Sequence, residues 1–115
     1  MLFNSFREFV EQRENSLAGL IRSQILDDES INKWYTKTRE GLQLALGKNF
    51  LQEIVMGPLE IMQSKIDNLK GHNVAGGHRV LILRICQDEL GKIKENVRPE
   101  LLAIFKPSNL KFYEI

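Results

Sequence analysis

Apolar side chains recur at steps of three and four residues along most of this chain, and no other feature restricts its fold as strongly. That spacing places side chains on one face of an α-helix, whereas a half-buried strand alternates at every second residue. No segment alternates convincingly. The pattern therefore predicts an all-α fold, in which the apolar faces of several helices pack together.

The first apolar stripe predicts a helix over residues 5–26. Ser5 and Glu8 match a capping box, in which both side chains bind backbone N–H groups at the start of a helix. The charged side chains between residues 8 and 14, Arg13 among them, are expected on the outer side. The stripe itself consists of Phe6, Phe9, Val10, Leu17, Leu20, Ile21 and Ile25.

A second helix is predicted to begin after the acidic cluster 27–29 and Ser30, because capping side chains and negative charge favour a helix N-terminus. Gly41 is expected to weaken the middle of this helix by roughly 1 kcal/mol relative to alanine. Residues 47–49 either end the helix or only bend it. Its apolar face comprises Ile31, Trp34, Tyr35, Thr38, Leu42, Ala45 and Leu46.

The third and fourth helices are predicted on either side of a glycine-rich loop. Gly57 and Pro58 indicate a stop and a new start, because glycine often follows a helix and proline often opens one. A short helix is expected over 58–70. Residues 79–85 are apolar enough to pass for a buried strand, but the helical spacing continues to residue 94 and favours a helix.

The C-terminal residues complete the predicted architecture. Pro99 breaks the fourth helix, and 99–105 are expected to form one or two short helical turns. The tail 108–115 ends in apolar residues that could dock on the bundle or add a strand. The chain is thus expected to be one domain, 1–115, a small bundle of four main helices plus one or two short C-terminal turns.

Composition supports a single packed domain in a reducing compartment. The 115 residues are 43% hydrophobic and carry sixteen basic against fifteen acidic groups, a net charge of +1. That balance gives no general reason to expect nucleic-acid or membrane binding. Cys86 is the single cysteine, so an internal disulfide is excluded and a cytoplasmic location is expected. The longest apolar run, 80–83, is far below the roughly 20 residues that span a bilayer.

The stretch 71–79, GHNVAGGHR, holds three glycines and both histidines. It matches no phosphate-binding glycine motif, and a flexible connection between helices is the favoured interpretation. If the loop has a ligand, an anion at the start of the following helix is expected. Metal binding is not expected, because His72 and His78 lack a third donor at a known spacing. The candidate anion contacts are Gly76, Gly77, His78, Arg79, Lys70 and Arg84.

No set of side chains predicts catalysis, and no cofactor is expected. Cys86 lies in an apolar run, where a cysteine usually acts as a small core residue rather than a nucleophile. The carboxylates at 27–29 are interpreted as a helix cap, and those of Asp88 and Glu89 as a solvated helix face. Neither group forms a paired acid and base.

Adjacent aromatic residues at the start of the second helix suggest a contact surface. Trp34 and Tyr35 point about 100° apart, so one is expected in the core and the other is a candidate anchor for a partner, although ordinary packing in the core and at its rim is the favoured interpretation. Phe112 and Tyr113 in the tail are the other candidate interface residues. Lysines beside Trp34 leave stacking on a nucleic-acid base as an alternative.

These features favour a non-enzymatic protein–protein interaction or regulatory module, such as an adaptor. It would bind a protein partner or form a homo-oligomer through its helical faces. Two alternatives remain. The basic region 65–84 would suit a nucleic-acid-associated protein, and the loop 76–79 would suit a small phosphate-ligand-binding protein. No membrane partner is expected.

Overall fold

Four α-helices account for most of the chain in the computed structural model, which describes residues 2–3, 6–70, 75–98 and 112–113. In chain order they are α1 (Phe6–Arg22), α2 (Asp28–Leu46), α3 (Glu53–Asp67) and α4 (Gly76–Asn96). The predicted all-α bundle of four main helices is therefore confirmed. The short turns predicted over 99–105 lie outside the described residues.

Two short strands bring the ends of the chain together. β1 (Leu2–Phe3) and β2 (Phe112–Tyr113) are each two residues long. They pair antiparallel, with Leu2 opposite Tyr113 and Phe3 opposite Phe112. Part of the predicted tail thus adds a strand to the N-terminus of the same chain.

α1 ends four residues earlier than predicted, because Gln24 adopts a left-handed conformation with φ of 54°. The N–H of Gln24 donates to the carbonyl of Ile21, and that of Ile25 donates to the carbonyl of Leu20. These two bonds form a Schellman motif, which caps the last carbonyls of the helix. The predicted cap of α2 is confirmed, since the Asp27 carboxylate accepts a hydrogen bond from Ser30 N at 2.9 Å.

Of the two alternatives for residues 47–49, the helix end is confirmed, whereas the helix boundary predicted at Gly57 and Pro58 was wrong. The chain leaves α2 at Gly47, whose φ of 55° and ψ of −128° suit glycine. A 3-10 turn, Gly47–Leu51, follows, and α3 then runs from Glu53 through Gly57 and Pro58 without a break. Burial of Val55, Leu59, Met62 and Ile66 along one face offsets the loss of one N–H donor at the proline.

α4 confirms the preference for a helix over a buried strand at 79–85. It packs against α3 and α1. Its direction is opposite to that of α1, because Lys94 near its end pairs with Glu14 at 2.8 Å, while Arg79 near its start contacts Leu26. Within the described ranges, none of the helices is long and apolar enough to cross a membrane.

The core draws side chains from all four helices. At the contact between α1 and α2, the Phe9 ring lies against Gly41. A Cβ atom at Gly41 would collide with that ring. The most deeply buried large side chains include Phe9, Leu17, Ile31, Leu42, Leu46, Leu59, Met62, Leu83, Leu90 and Ile93.

Candidate functional site

Arg79, a candidate anion contact, joins the start of α4 to the connection between α1 and α2. Its Nη1 donates to the carbonyl oxygen of Leu26 at 2.9 Å and to Asp28 Oδ1 at 2.6 Å. The side chain is only 13% exposed. Because Asp28 already balances its charge, Arg79 stabilises the packing of helices and offers little positive potential to a ligand.

The other candidate anion contacts are distributed over a wider surface. Gly76, Gly77 and His78 lie exposed in the first turn of α4, whose N-cap, Ala75, supplies no side-chain acceptor. The Lys70 ammonium pairs with Asp67 at 3.1 Å. Arg84 is exposed and lies about 7.5 Å further along the helix axis than Arg79. Residues 71–74, with the candidate metal ligand His72, lie outside the described residues.

Trp34 is buried at the contact between α2 and α1 and bonded to a second buried residue, Arg13. The indole Nε1 donates to the Arg13 carbonyl at 3.0 Å. In return, Arg13 Nε donates to Thr38 Oγ1 at 2.9 Å, and Nη2 to the Trp34 carbonyl at 3.4 Å. The prediction that Arg13 lies on the outer side was wrong. Acceptors on α2, together with Gln12 Oε1 on α1, accept hydrogen bonds from its guanidinium, and this allows a charged side chain to be 6% exposed.

Tyr35 is buried at the contact between α2 and α3. Its hydroxyl donates to the carbonyl oxygen of Leu59 in α3 at 3.1 Å, and burial raises the pKa of the phenol above its usual value. The expectation that Trp34 or Tyr35 would be exposed as an anchor is therefore corrected. α2 packs against α1 and α3, so two rings 100° apart each meet a different neighbouring helix.

Phe112 and Tyr113, the remaining candidate interface residues, form β2. The structure describes their backbone pairing with Phe3 and Leu2. Their side chains lie outside its description, so a contact role for them stays a prediction.

Cys86 is a core residue, as predicted. Burial, with a smaller contribution from the charge of Glu89, raises the pKa of its thiol to about 12. A thiol with that pKa is neutral at physiological pH and is a poor nucleophile.

Glu89 is buried, so the prediction that it lies on a solvated helix face was wrong. The residue is 5% exposed, Oε1 pairs with Lys92 Nζ at 2.9 Å, and Oε2 has no partner among the described residues. The exposed lysine neutralises the carboxylate from the edge of the helix. No group of three or more His, Cys, Asp or Glu side chains suited to a metal ion occurs in the described part of the chain.

Exposed leucines form the feature that the sequence interpretation missed. Leu44 near the end of α2 and Leu51 at the end of the following 3-10 turn are 76% and 74% exposed. Seven residues separate them along the chain, which leaves α2 at Gly47 and then forms the 3-10 turn. A signal for Leu44 existed in the sequence, because it lies 200° around the helix from Leu42, on the face opposite the apolar stripe.

No protein-family model, curated protein or solved structure matches this chain. Its function therefore has to be inferred from its own side chains. Two features qualify: the exposed side chains of Leu44 and Leu51, called here the leucine patch, and the grooves between the helices.

Proposed function

We propose that this protein is a non-enzymatic protein-binding module whose contact surface is centred on the leucine patch. The observation that carries the proposal is the exposure of Leu44 and Leu51, both about three-quarters exposed at one end of α2. Leucine side chains this exposed gain free energy when a second surface covers them, at roughly 25 cal/mol for each Å² of apolar area removed from water.

The region beside the patch suits a protein surface. A groove of about 390 Å³ lies between α2 and α3, and Glu40 on its wall is one helical turn before Leu44. Amide side chains of Asn32, Gln43 and Gln63 also line it. Such amides both donate and accept hydrogen bonds, so they can form the polar rim that surrounds apolar contacts in protein interfaces.

A second copy of the chain is the partner that we propose. A two-fold contact would place the leucine patches of two copies together, and each would cover the other. The net charge of +1 produces little repulsion between copies. We also propose a reducing, cytoplasmic location and a regulatory or adaptor role, because the single cysteine is a buried free thiol and the surfaces described above suit contact rather than catalysis.

Sedimentation velocity over a wide concentration range tests this proposal. The wild-type protein is expected to shift from monomer to dimer as its concentration rises. The double variant Leu44→Ser with Leu51→Ser should remain monomeric, because it loses the apolar area that a dimer would bury. Substitution of such exposed side chains usually changes the free energy of unfolding by less than about 0.5 kcal/mol, so the variant should stay folded.

Leu81→Ser is the matched control. Leu81 is exposed on α4, away from the patch, and its substitution should leave dimerisation unchanged. A wild-type protein that stays monomeric at every concentration would refute self-association. If the patch variant and the control weakened dimerisation equally, the contact would not be centred on Leu44 and Leu51.

A further inference from the structure

A second groove, between α1 and α2, has a different chemistry from the leucine patch. Its volume is about 260 Å³. The side chains that matter here are Arg13, Ser16 and Leu20 from α1, and Lys33 and Lys37 from α2. Three of these five carry a positive charge, and no acidic residue lines the groove.

The two lysines of this groove lie close together on α2. Lys33 and Lys37 are four residues apart, so they project from the same face of α2 and repel one another by roughly 0.2–0.5 kcal/mol. Neither forms a salt bridge with any residue that the structure describes. The α2–α3 groove differs, because Glu40 and Asp67 line it together with Arg39 and Lys70.

Arg13 adds a fixed charge to the wall of the groove. Its hydrogen bonds to Thr38 and to the Trp34 carbonyl hold the guanidinium in one orientation. A charge that is already oriented loses little entropy when a ligand arrives. At the start of α2, the Asp27 carboxylate accepts hydrogen bonds from Ser30, which hold its pKa below the usual value.

The size and apolar part of the groove limit the ligand. At about 260 Å³, the groove is slightly smaller than the roughly 300–1,000 Å³ of sites for drug-sized molecules, so it suits a ligand smaller than these. Leu20 and the edge of Trp34 supply apolar surface, while the hydroxyl of Ser16 can donate a hydrogen bond to an oxygen.

We propose that the α1–α2 groove binds a small phosphate monoester. Lys33 and Lys37 contact the phosphate oxygens, Arg13 supplies positive potential from the wall, and the organic part of the ligand lies against Leu20. The charge of about −2 on a phosphate monoester at neutral pH matches two lysines that form no salt bridge with the described residues. This site is separate from the leucine patch, and neither proposal depends on the other.

Isothermal titration calorimetry with phenyl phosphate at low ionic strength tests the site. Saturable binding to the wild-type protein is expected, with at least tenfold weaker binding to the double variant Lys33→Gln with Lys37→Gln. Phenyl sulfate, which carries one negative charge, should bind more weakly than phenyl phosphate, and phenol should not bind. In nuclear magnetic resonance spectra, the amide signals of Ser16 and Lys33 should move as phenyl phosphate is added.

The control is the double variant Lys48→Gln with Lys65→Gln, which removes the same charge from lysines that do not line this groove. It should bind phenyl phosphate as tightly as the wild-type protein does. The absence of saturable binding to the wild-type protein would overturn the proposal. Equal weakening of phenyl phosphate binding in both double variants would also overturn it. So would binding of an RNA oligonucleotide that is weakened equally in both double variants, because either result indicates a general response to charge.

Discussion

At the scale of single residues, Gly41 shows that helix propensity and a packing contact can have opposite effects on stability. Its helix propensity alone predicts that alanine would be better by roughly 1 kcal/mol. In the folded chain, however, Gly41 is the position at which the Phe9 ring approaches the backbone of α2. The missing Cβ is what allows α1 and α2 to approach so closely, and a helix-weakening residue therefore stabilises the bundle.

Gly41→Ala is expected to lower the free energy of unfolding by about 1–3 kcal/mol, because a Cβ there overpacks the core against a rigid ring. The matched variant is Gly91→Ala, where an added Cβ meets nothing within 4 Å. That change should be neutral or should raise stability by up to about 1 kcal/mol. Urea unfolding followed by circular dichroism measures both. A stabilised Gly41→Ala variant would show that Phe9 moves aside at little cost.

At the scale of helices, α1 and α2 are each followed by a residue with positive φ, Gln24 after α1 and Gly47 after α2, but only the second is the glycine that usually marks a helix end. The pair Gly57 and Pro58, which predicts a helix boundary, lies inside α3 instead. The apolar stripe of α3 begins at Val55, before the proline, so starting the helix later would expose side chains that the core needs.

Gln24→Gly is expected to raise the free energy of unfolding by about 1 kcal/mol. The left-handed conformation that Gln24 adopts costs a non-glycine residue roughly 1–2 kcal/mol of conformational free energy, whereas its cost for glycine is almost zero. The neighbouring variant Ser23→Gly is the control and should not stabilise, because Ser23 does not need a positive φ. Thermal and urea unfolding of the three proteins provide the measurement, and a destabilised Gln24→Gly variant would contradict the Schellman interpretation.

At the scale of the whole molecule, salt bridges near both ends of α4 connect this helix to the rest of the bundle. Arg79 binds the connection between α1 and α2, and Lys94 binds Glu14 in α1. Between these contacts, α4 buries Leu83, Cys86 and Leu90 in the common core. Exposure of Cys86 to a reagent therefore requires the bundle to open.

The Cys86 thiol is expected to resist a disulfide reagent at pH 8 in the native protein and to react rapidly in denaturant. Burial holds its pKa near 12, while an unfolded thiol ionises near 9. From pH 9 to pH 12 the unfolded state therefore loses a proton that the native state keeps, and stability falls as pH rises. Labelling kinetics and unfolding at pH 8 and pH 10.5 measure these effects. Rapid labelling without denaturant would place the thiol near the surface.

The proposed sites were only partly predictable, and the reason is geometric. Trp34 and Tyr35 were recognised as unusual, but their burial depends on having a helix on each side of α2. Lys33 and Lys37 are visible in the sequence as a basic pair, yet the groove that they line requires Ser16 and Leu20 from α1. Leu44 alone could have been identified from its position opposite the apolar stripe.

The sequence by itself determined that this chain forms helices, how many main ones there are and most of the apolar side chains that line the core, although Ile25 of the first stripe is 44% exposed. These properties follow from spacing and capping, which act over a few residues along the chain. Only the tertiary structure decided that Arg13 and Glu89 are buried, that Gly41 is a close contact and that α3 continues through Pro58. The physical reason is that each of these depends on neighbours supplied by another part of the chain, at distances that no local pattern encodes.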